Sequence, residues 1–172
     1  MIRSLKGKKP QIAATAFVSE AAYIVGDVEI GEGTNVWPGT VIRGDTGCIT
    51  IGKNTSVQDN SVIHSGQAPN LDVSIGDEVQ IGHGAVIHAK KIGNHVLIGM
   101  NATILPGAEI GDYCIIGAGC VVGQGMKVPD NSFVVGIPGK IKRQATAEQL
   151  RWVEDASREY AEWGRQYKEA GL

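Results

Sequence analysis

The sequence is missing most of the features that would announce a membrane, secreted or nucleic-acid-binding protein. No apolar run approaches the ~20 residues that span a bilayer. The N-terminus has no apolar h-region of the kind a secretory signal carries. The three cysteines, Cys48, Cys114 and Cys120, are odd in number and lack CxxC spacing. Reduced thiols in a cytoplasmic protein are therefore expected, not a disulfide framework. Neither sign of charge dominates: sixteen Lys and Arg face eighteen Asp and Glu, for a net charge of −2. A nucleic-acid binder would show a basic patch. The one basic cluster, Arg3, Lys6, Lys8 and Lys9, reads as a solvated tail. Proline is scarce and no segment is of low complexity, so the 24 glycines point to regularly spaced turns and not to disorder.

Those turns belong to a repeat. Ile or Val recurs every six residues at Ile12, Val18, Ile24, Ile30, Val36 and Ile42, then at Ile51, Val57 and Ile63, then at Ile75, Ile81 and Ile87. The series continues at Ile92, Ile98, Ile104, Ile110, Ile116, Val122, Val128 and Val134. Four positions after these aliphatics the residue is Ala, Val, Thr, Ser or Cys in sixteen of twenty cases, and Gly often follows the aliphatic directly, as at Gly76, Gly82 and Gly93. A period of six describes a short strand and a turn. The β-branched residue points inward onto its equivalents above and below. The small residue fits where the backbone closes at a corner, and Gly or Asn supplies the turn. A helical period would not keep every sixth residue on one face.

Three hexads make one triangular coil of eighteen residues, so twenty hexads predict an all-β solenoid of nearly seven coils over residues 12–140, preceded by a segment at 1–11. Three irregularities interrupt the count: three extra residues between Ile42 and Ile51, six extra between Ile63 and Ile75, and one missing between Ile87 and Ile92. Such breaks are loops on one face, often the working one. The tail at 141–172 reads differently. Thr146 and Gln149 form a capping box. Leu150, Val153, Ala156, Tyr160, Trp163 and Tyr167 follow at helical spacing, predicting one helix over 147–169 that packs along the solenoid.

The register brings histidines together. In the column of hexads starting at Ile24, Ile42, Ile63, Ile87, Ile104 and Val122, the next residue on each rung is Val25, Arg43, His64, His88, Leu105 and Gly123. These point outward, so His64 and His88 occupy adjacent rungs about 4.8 Å apart, with Arg43 one rung below. His83 falls at the following corner, above Asp59 and beside Gln58, and projects from an edge. Around a threefold axis that edge could meet the His64 and His88 face of a neighbour. Three imidazoles with an open fourth position are a catalytic zinc arrangement. Imidazole also suits iron and cobalt. His95, in a turn of its own hexad, is expected at the surface. Cys114 and Cys120 occupy small corner positions and are expected to pack, while Cys48 lies in the first break.

These residues carry a resemblance. Val41-Ile42-Arg43-Gly44-Asp45, Val57-Gln58-Asp59-Asn60-Ser61-Val62-Ile63-His64 and Ile81-Gly82-His83-Gly84-Ala85-Val86-Ile87-His88, with the spacing His-x18-His-x4-His, resemble the γ-class carbonic anhydrases over almost the whole chain. The resemblance implies a left-handed parallel β-helix with a C-terminal helix, assembled as a homotrimer with metal sites between subunits. It implies that His64 and His88 of one subunit and His83 of the next bind the metal. It implies that Gln58 hydrogen-bonds the metal-bound water or hydroxide, and that Arg43, Asp45 and Asp59 form a charged network across the interface. The implied reaction is hydration of CO₂ to bicarbonate by that hydroxide. The chain departs from the best-known pattern in one respect: Thr46 and Ser65-Gly66-Gln67 stand where that pattern has glutamates, which removes its proton shuttle.

Two other classes fit parts of the sequence. Ile110-Gly111-Asp112 through Gly119, and Val135-Gly136-Ile137-Pro138-Gly139-Lys140, are similar to hexapeptide acyltransferases, which use a histidine as general base on an acceptor with coenzyme A between coils. Thioester hydrolysis at the same metal is a related reading. A non-catalytic assembly subunit is the third. Two histidines stacked on adjacent rungs with another at a corner favour a metal over the acyltransferase, which needs no such constellation.

Overall fold

In the computed structural model, residues 1–66 and 72–172 are described. They form a parallel β-solenoid of about seven turns with one C-terminal helix, consistent with the left-handed hexapeptide β-helix. Every predicted column is in register. Ile24, Ile42, Ile63, Ile87, Ile104 and Val122 pair rung to rung. Val18, Val36, Val57, Ile81, Ile98, Ile116 and Val134 line a second face. Ile12, Ile30, Ile51, Ile75, Ile92, Ile110 and Val128 line the third.

The core is a stack of aliphatic side chains. Ile42, Ile63, Ile81, Ile87, Ile98 and Ile104 are fully buried. Each such side chain contributes roughly 1.5–3 kcal/mol by leaving water. Cys114 and Cys120 are buried at the corners as expected, and Cys48 is partly covered. Burial raises the thiol pKa of all three.

The corners demand left-handed backbone, and Gly and Asn supply much of it, as at Gly84, Asn101 and Gly119. One corner is less economical. Asn54, Glu78, His95, Tyr113 and Asn131 all adopt φ between 50° and 59° there. The side chains on this corner compensate in part. His95 stacks on Tyr113 with ring centroids 4.7 Å apart, and its Nδ1 lies 3.3 Å from Glu78. His95 is thus half-buried between neighbours and not the bare surface residue its turn position suggests.

The first break is absorbed as a bulge. Strands Tyr23–Ile30 and Val41–Ile51 pair as Gly26↔Gly44, and then Val28↔Ile49, so Asp45–Cys48 lie opposite Asp27 alone. The backbones are so close that a Cβ on Gly26, whose φ is +86°, would collide with the Gly44 carbonyl, and one on Gly44 would collide with the Asp27 carbonyl. The second break includes residues outside the described set, Gln67 among them. Its visible flanks are tied down: Thr46 Oγ1 lies 2.8 Å from Ser65 Oγ, and Asp72 accepts the backbone N–H of Cys48 at 2.9 Å.

At the N-terminus, Ile2–Arg3 adds a parallel pairing to Ile24 and Val25. At the other end, Lys140–Gln144 turns back antiparallel onto Ser132–Val135. Helix α1 then runs from Ala147 to Glu169 with the Thr146–Gln149 capping box intact. It lies on the face that carries Asn35, Ser56 and Gln80. Its contact stripe is Val153, Ser157 and Gly164, whereas Trp163 and Trp152 are substantially exposed. The reason is closeness: a Cβ on Gly164 would stand 2.8 Å from Asn35 Cβ, so a glycine must face the sheet there. Aromatic edges complete the contact, with Trp37 against Tyr160 at 5.8 Å and Tyr167 at 5.0 Å.

Candidate metal centre

His64 ends the strand Val62–His64 and His88 directly follows the adjacent strand Val86–Ile87, and the inner residues Ile63 and Ile87 are locked in the core. Because each histidine follows its buried isoleucine, both rings project from the same outer face. Their centroids are 4.9 Å apart and their planes nearly perpendicular at 88°. Arg43 is registered directly below His64.

Asp45 binds this pair from below. Its Oδ1 is 2.9 Å from Nε2 of His64, and its other oxygen accepts from Arg43 Nη1. Burial works to raise the Asp45 carboxyl pKa, but the bonds and charges of Arg43 and His64 outweigh it and hold the group below its ordinary 3.8. His88 is pushed the other way from a cation: burial first, then the charges of His64 and Arg43, keep it below the ordinary 6.5. Its Nδ1 is buried and has no partner among the described residues.

His83 lies on the corner between this face and the helix-covered one. Its Nδ1 is 2.9 Å from Asp59 Oδ2, the residue one rung below. Gln58, next to Asp59, is almost fully buried. Among the described residues of the single chain, no three His, Cys, Asp or Glu side chains converge as a metal cluster. The structure therefore brings together His64, His88, Arg43 and Asp45 as one group, and His83, Asp59 and Gln58 as a second. Within the chain Arg43 pairs with Asp45 and makes no ion pair with Asp59.

Two features near the site escape hexad counting. Thr46 and Ser65, the neutral residues where the resemblance would place acidic ones, close on each other by hydrogen bonds, and Thr46 Oγ1 also reaches the Gly66 carbonyl at 3.0 Å. Tyr160, from α1, borders His83 and Gln58. Burial, with the nearby charges of Asp59 and Glu159, raises its phenol pKa. Nothing in the repeat could place a residue of the helix there, since the helix packing depends on Ser157 and Gly164.

Comparisons with known proteins agree with the fold. Residues 89–124 match the family model described as bacterial transferase hexapeptide (six repeats). A carbonic anhydrase of Geobacillus kaustophilus is 45% identical over 168 residues, covering 98% of this chain and 91% of that protein. The mitochondrial gamma carbonic anhydrase 2 of Arabidopsis thaliana is 35% identical over 159 residues, covering 89% of this chain and 56% of that one. Among solved structures, a hexapeptide transferase family protein from Anaplasma phagocytophilum superposes with a TM-score of 0.91 at 32% identity, covering 96% of this chain and 97% of that one. The chain belongs to the γ-class carbonic anhydrase family of hexapeptide-repeat β-helix proteins.

Proposed function

We propose that the chain is a metal-dependent carbonic anhydrase that works as a homotrimer, hydrating CO₂ reversibly at a metal held by His64 and His88 of one subunit and His83 of the next. The observation that carries this reading is the His64–His88 pair, 4.9 Å apart on adjacent rungs, in a chain that keeps its third histidine on an outer edge.

The donor set fits a metal of the zinc class, and iron(II) or cobalt(II) equally. Metal ligands must be unprotonated. Burial favours that form of His88, and its partnerless Nδ1 is a buried atom in want of a ligand. Carboxylates hold one nitrogen of each of the other two rings, Asp45 on His64 and Asp59 on His83, the usual support for a ligating histidine. A metal of this kind, when bound, supplies a water that is nucleophilic near neutral pH.

The chain's own residues have the remaining tasks. Asp45 and Asp59 orient the imidazoles. Gln58, buried beside the His83 edge, offers an amide to position the attacking oxygen. Arg43, partly free of Asp45, provides positive potential for the bicarbonate product and a link across the subunit boundary. The neutral Thr46–Ser65 contact offers no proton acceptor, so the proton passes to solvent bases.

Stopped-flow hydration of CO₂ by metal-loaded protein tests the reading. Activity that disappears in His64→Ala and His88→Ala, with the fold retained, is the expected result. Metal-loaded wild type without activity overturns it. A second reading, acyl transfer or thioester hydrolysis, draws on the match of residues 89–124 to the transferase repeat and on the structural likeness to a hexapeptide transferase family protein. Consumption of acetyl-coenzyme A by the same protein distinguishes it.

A further inference from the structure

The columns that carry the candidate ligands change character from one coil to the next. Ile87 pairs with Ile104 and Ile81 with Ile98, so Leu105 stands one rung above His88 and Met100 one rung above His83. The Asn101 N–H donates to the His83 carbonyl at 2.9 Å and fixes the second placement. It repeats the bond from the Gly84 N–H to the Asp59 carbonyl one coil lower. Below the imidazoles both columns are charged, with Arg43 under His64 and Asp59 under His83. Above them both are apolar, and the coil beyond adds only Gly123 and Ala118.

Leu105 is half-buried, and Met100 is 56% exposed where it shares a wall with His83. A single exposed apolar side chain is ordinary. These two stand at one level, each about 4.8 Å from the rung of a candidate ligand. In the trimer proposed above, the His83 edge of one subunit meets the His64 and His88 face of the next. The same meeting brings Met100 of one subunit level with Leu105 of the other.

We propose that Met100 and Leu105 form an apolar shelf above the shared site and hold CO₂ there for attack. The inference rests on the shared site proposed above and assigns its two substrate-positioning residues. CO₂ has no net charge and no dipole, so it gains by leaving water for an apolar wall. Bicarbonate is an anion, which such a wall disfavours. Substrate and product are thus sorted by the polarity of successive rungs, CO₂ toward Leu105 and Met100 and bicarbonate toward Arg43.

Nitrous oxide tests the shelf without turnover, since it has the shape and electron count of CO₂ and is not hydrated. The chain has three methionines, so methyl-¹³C labelling gives a Met100 resonance that Met100→Leu identifies by its loss. In the intact wild-type oligomer this resonance should shift with dissolved nitrous oxide while that of Met126 stays still. Leu105→Asn should abolish the shift. In stopped-flow hydration with ample imidazole and equal zinc content, Leu105→Asn and Met100→Gln should raise KM for CO₂ about tenfold, with a smaller change in kcat. Leu105→Met should bring KM back to the wild-type value. A Met100 resonance that ignores nitrous oxide overturns the shelf and leaves hydration intact, as does an unchanged KM in both polar variants. Wild type that hydrates no CO₂ overturns the shared-site reading and the shelf with it. The nitrous oxide response of wild type stands even if a variant folds poorly.

Discussion

The rings of His64 and His88 meet edge to face, with 4.9 Å between centroids, because the residues preceding them, Ile63 and Ile87, are paired rungs of one buried column. The spacing of the candidate ligands is therefore set by the rung spacing of a rigid solenoid and not by a loop. Sites built on such elements hold their geometry without a bound ion.

His88 predicts a pH dependence of stability. Its folded pKa lies below the ordinary 6.5, so the unfolded chain takes up the proton first as pH falls. The contribution is present above pH 6.5 and is lost as pH drops from there toward the folded value. The melting temperature of metal-free protein should fall between about pH 7.5 and about pH 5.5, and His88→Asn should fall less steeply. Identical slopes would remove His88 as the source.

Gly44 lies between Arg43 and Asp45 where two strands nearly touch, and any Cβ there meets the Asp27 carbonyl. Gly44→Ala should destabilise the protein by about 1–3 kcal/mol through overpacking and weaken metal binding by displacing Arg43 and Asp45. Urea unfolding with metal titration checks both effects. Unchanged stability would show that the bulge at Asp45–Cys48 can relax.

Glu78 has a left-handed backbone at φ 55°, where Asn is easily accommodated and Glu is not. Its contact with His95 is partly exposed and worth little. Glu78→Asn should therefore stabilise the fold by about 0.5–1 kcal/mol. Chemical denaturation measures it, and a loss of stability would mean that the His95 contact outweighs the backbone strain.

Proton export makes a kinetic prediction. With Thr46 and Ser65 bonded to each other, no acidic side chain of that loop edge is available as a relay. CO₂ hydration should accelerate with the concentration of an added buffer such as imidazole, and Ser65→Glu should reduce that dependence. A rate independent of buffer would place the proton exit elsewhere.

Much of this was legible in the sequence. Because each hexad starts at an inward-facing β-branched residue, the columns, the adjacency of His64 and His88 and the position of His83 over Asp59 could all be counted from residue numbers. The helix was readable from its capping box and its periodicity. Its contact face was legible in part: Val153, Tyr160 and Tyr167 pack on the sheet as the spacing predicts, but Trp163 does not, because Gln80 bonds Ser157 and Asn35 stands so close that Gly164 must face it. The link from His64 to Asp45 also escaped counting, because it arises in a bulge, where register no longer follows the period of six. His95 is at the surface as expected but partly covered, because a turn position says nothing about the Tyr113 ring one rung above.

Metal content per chain, measured by elemental analysis on wild type and His83→Ala after identical loading with zinc, tests the shared site most directly. One ion per chain in wild type, and none in His83→Ala with the circular dichroism of the solenoid unchanged, is the predicted result. Full occupancy in His83→Ala would contradict a site completed by the neighbouring subunit's edge.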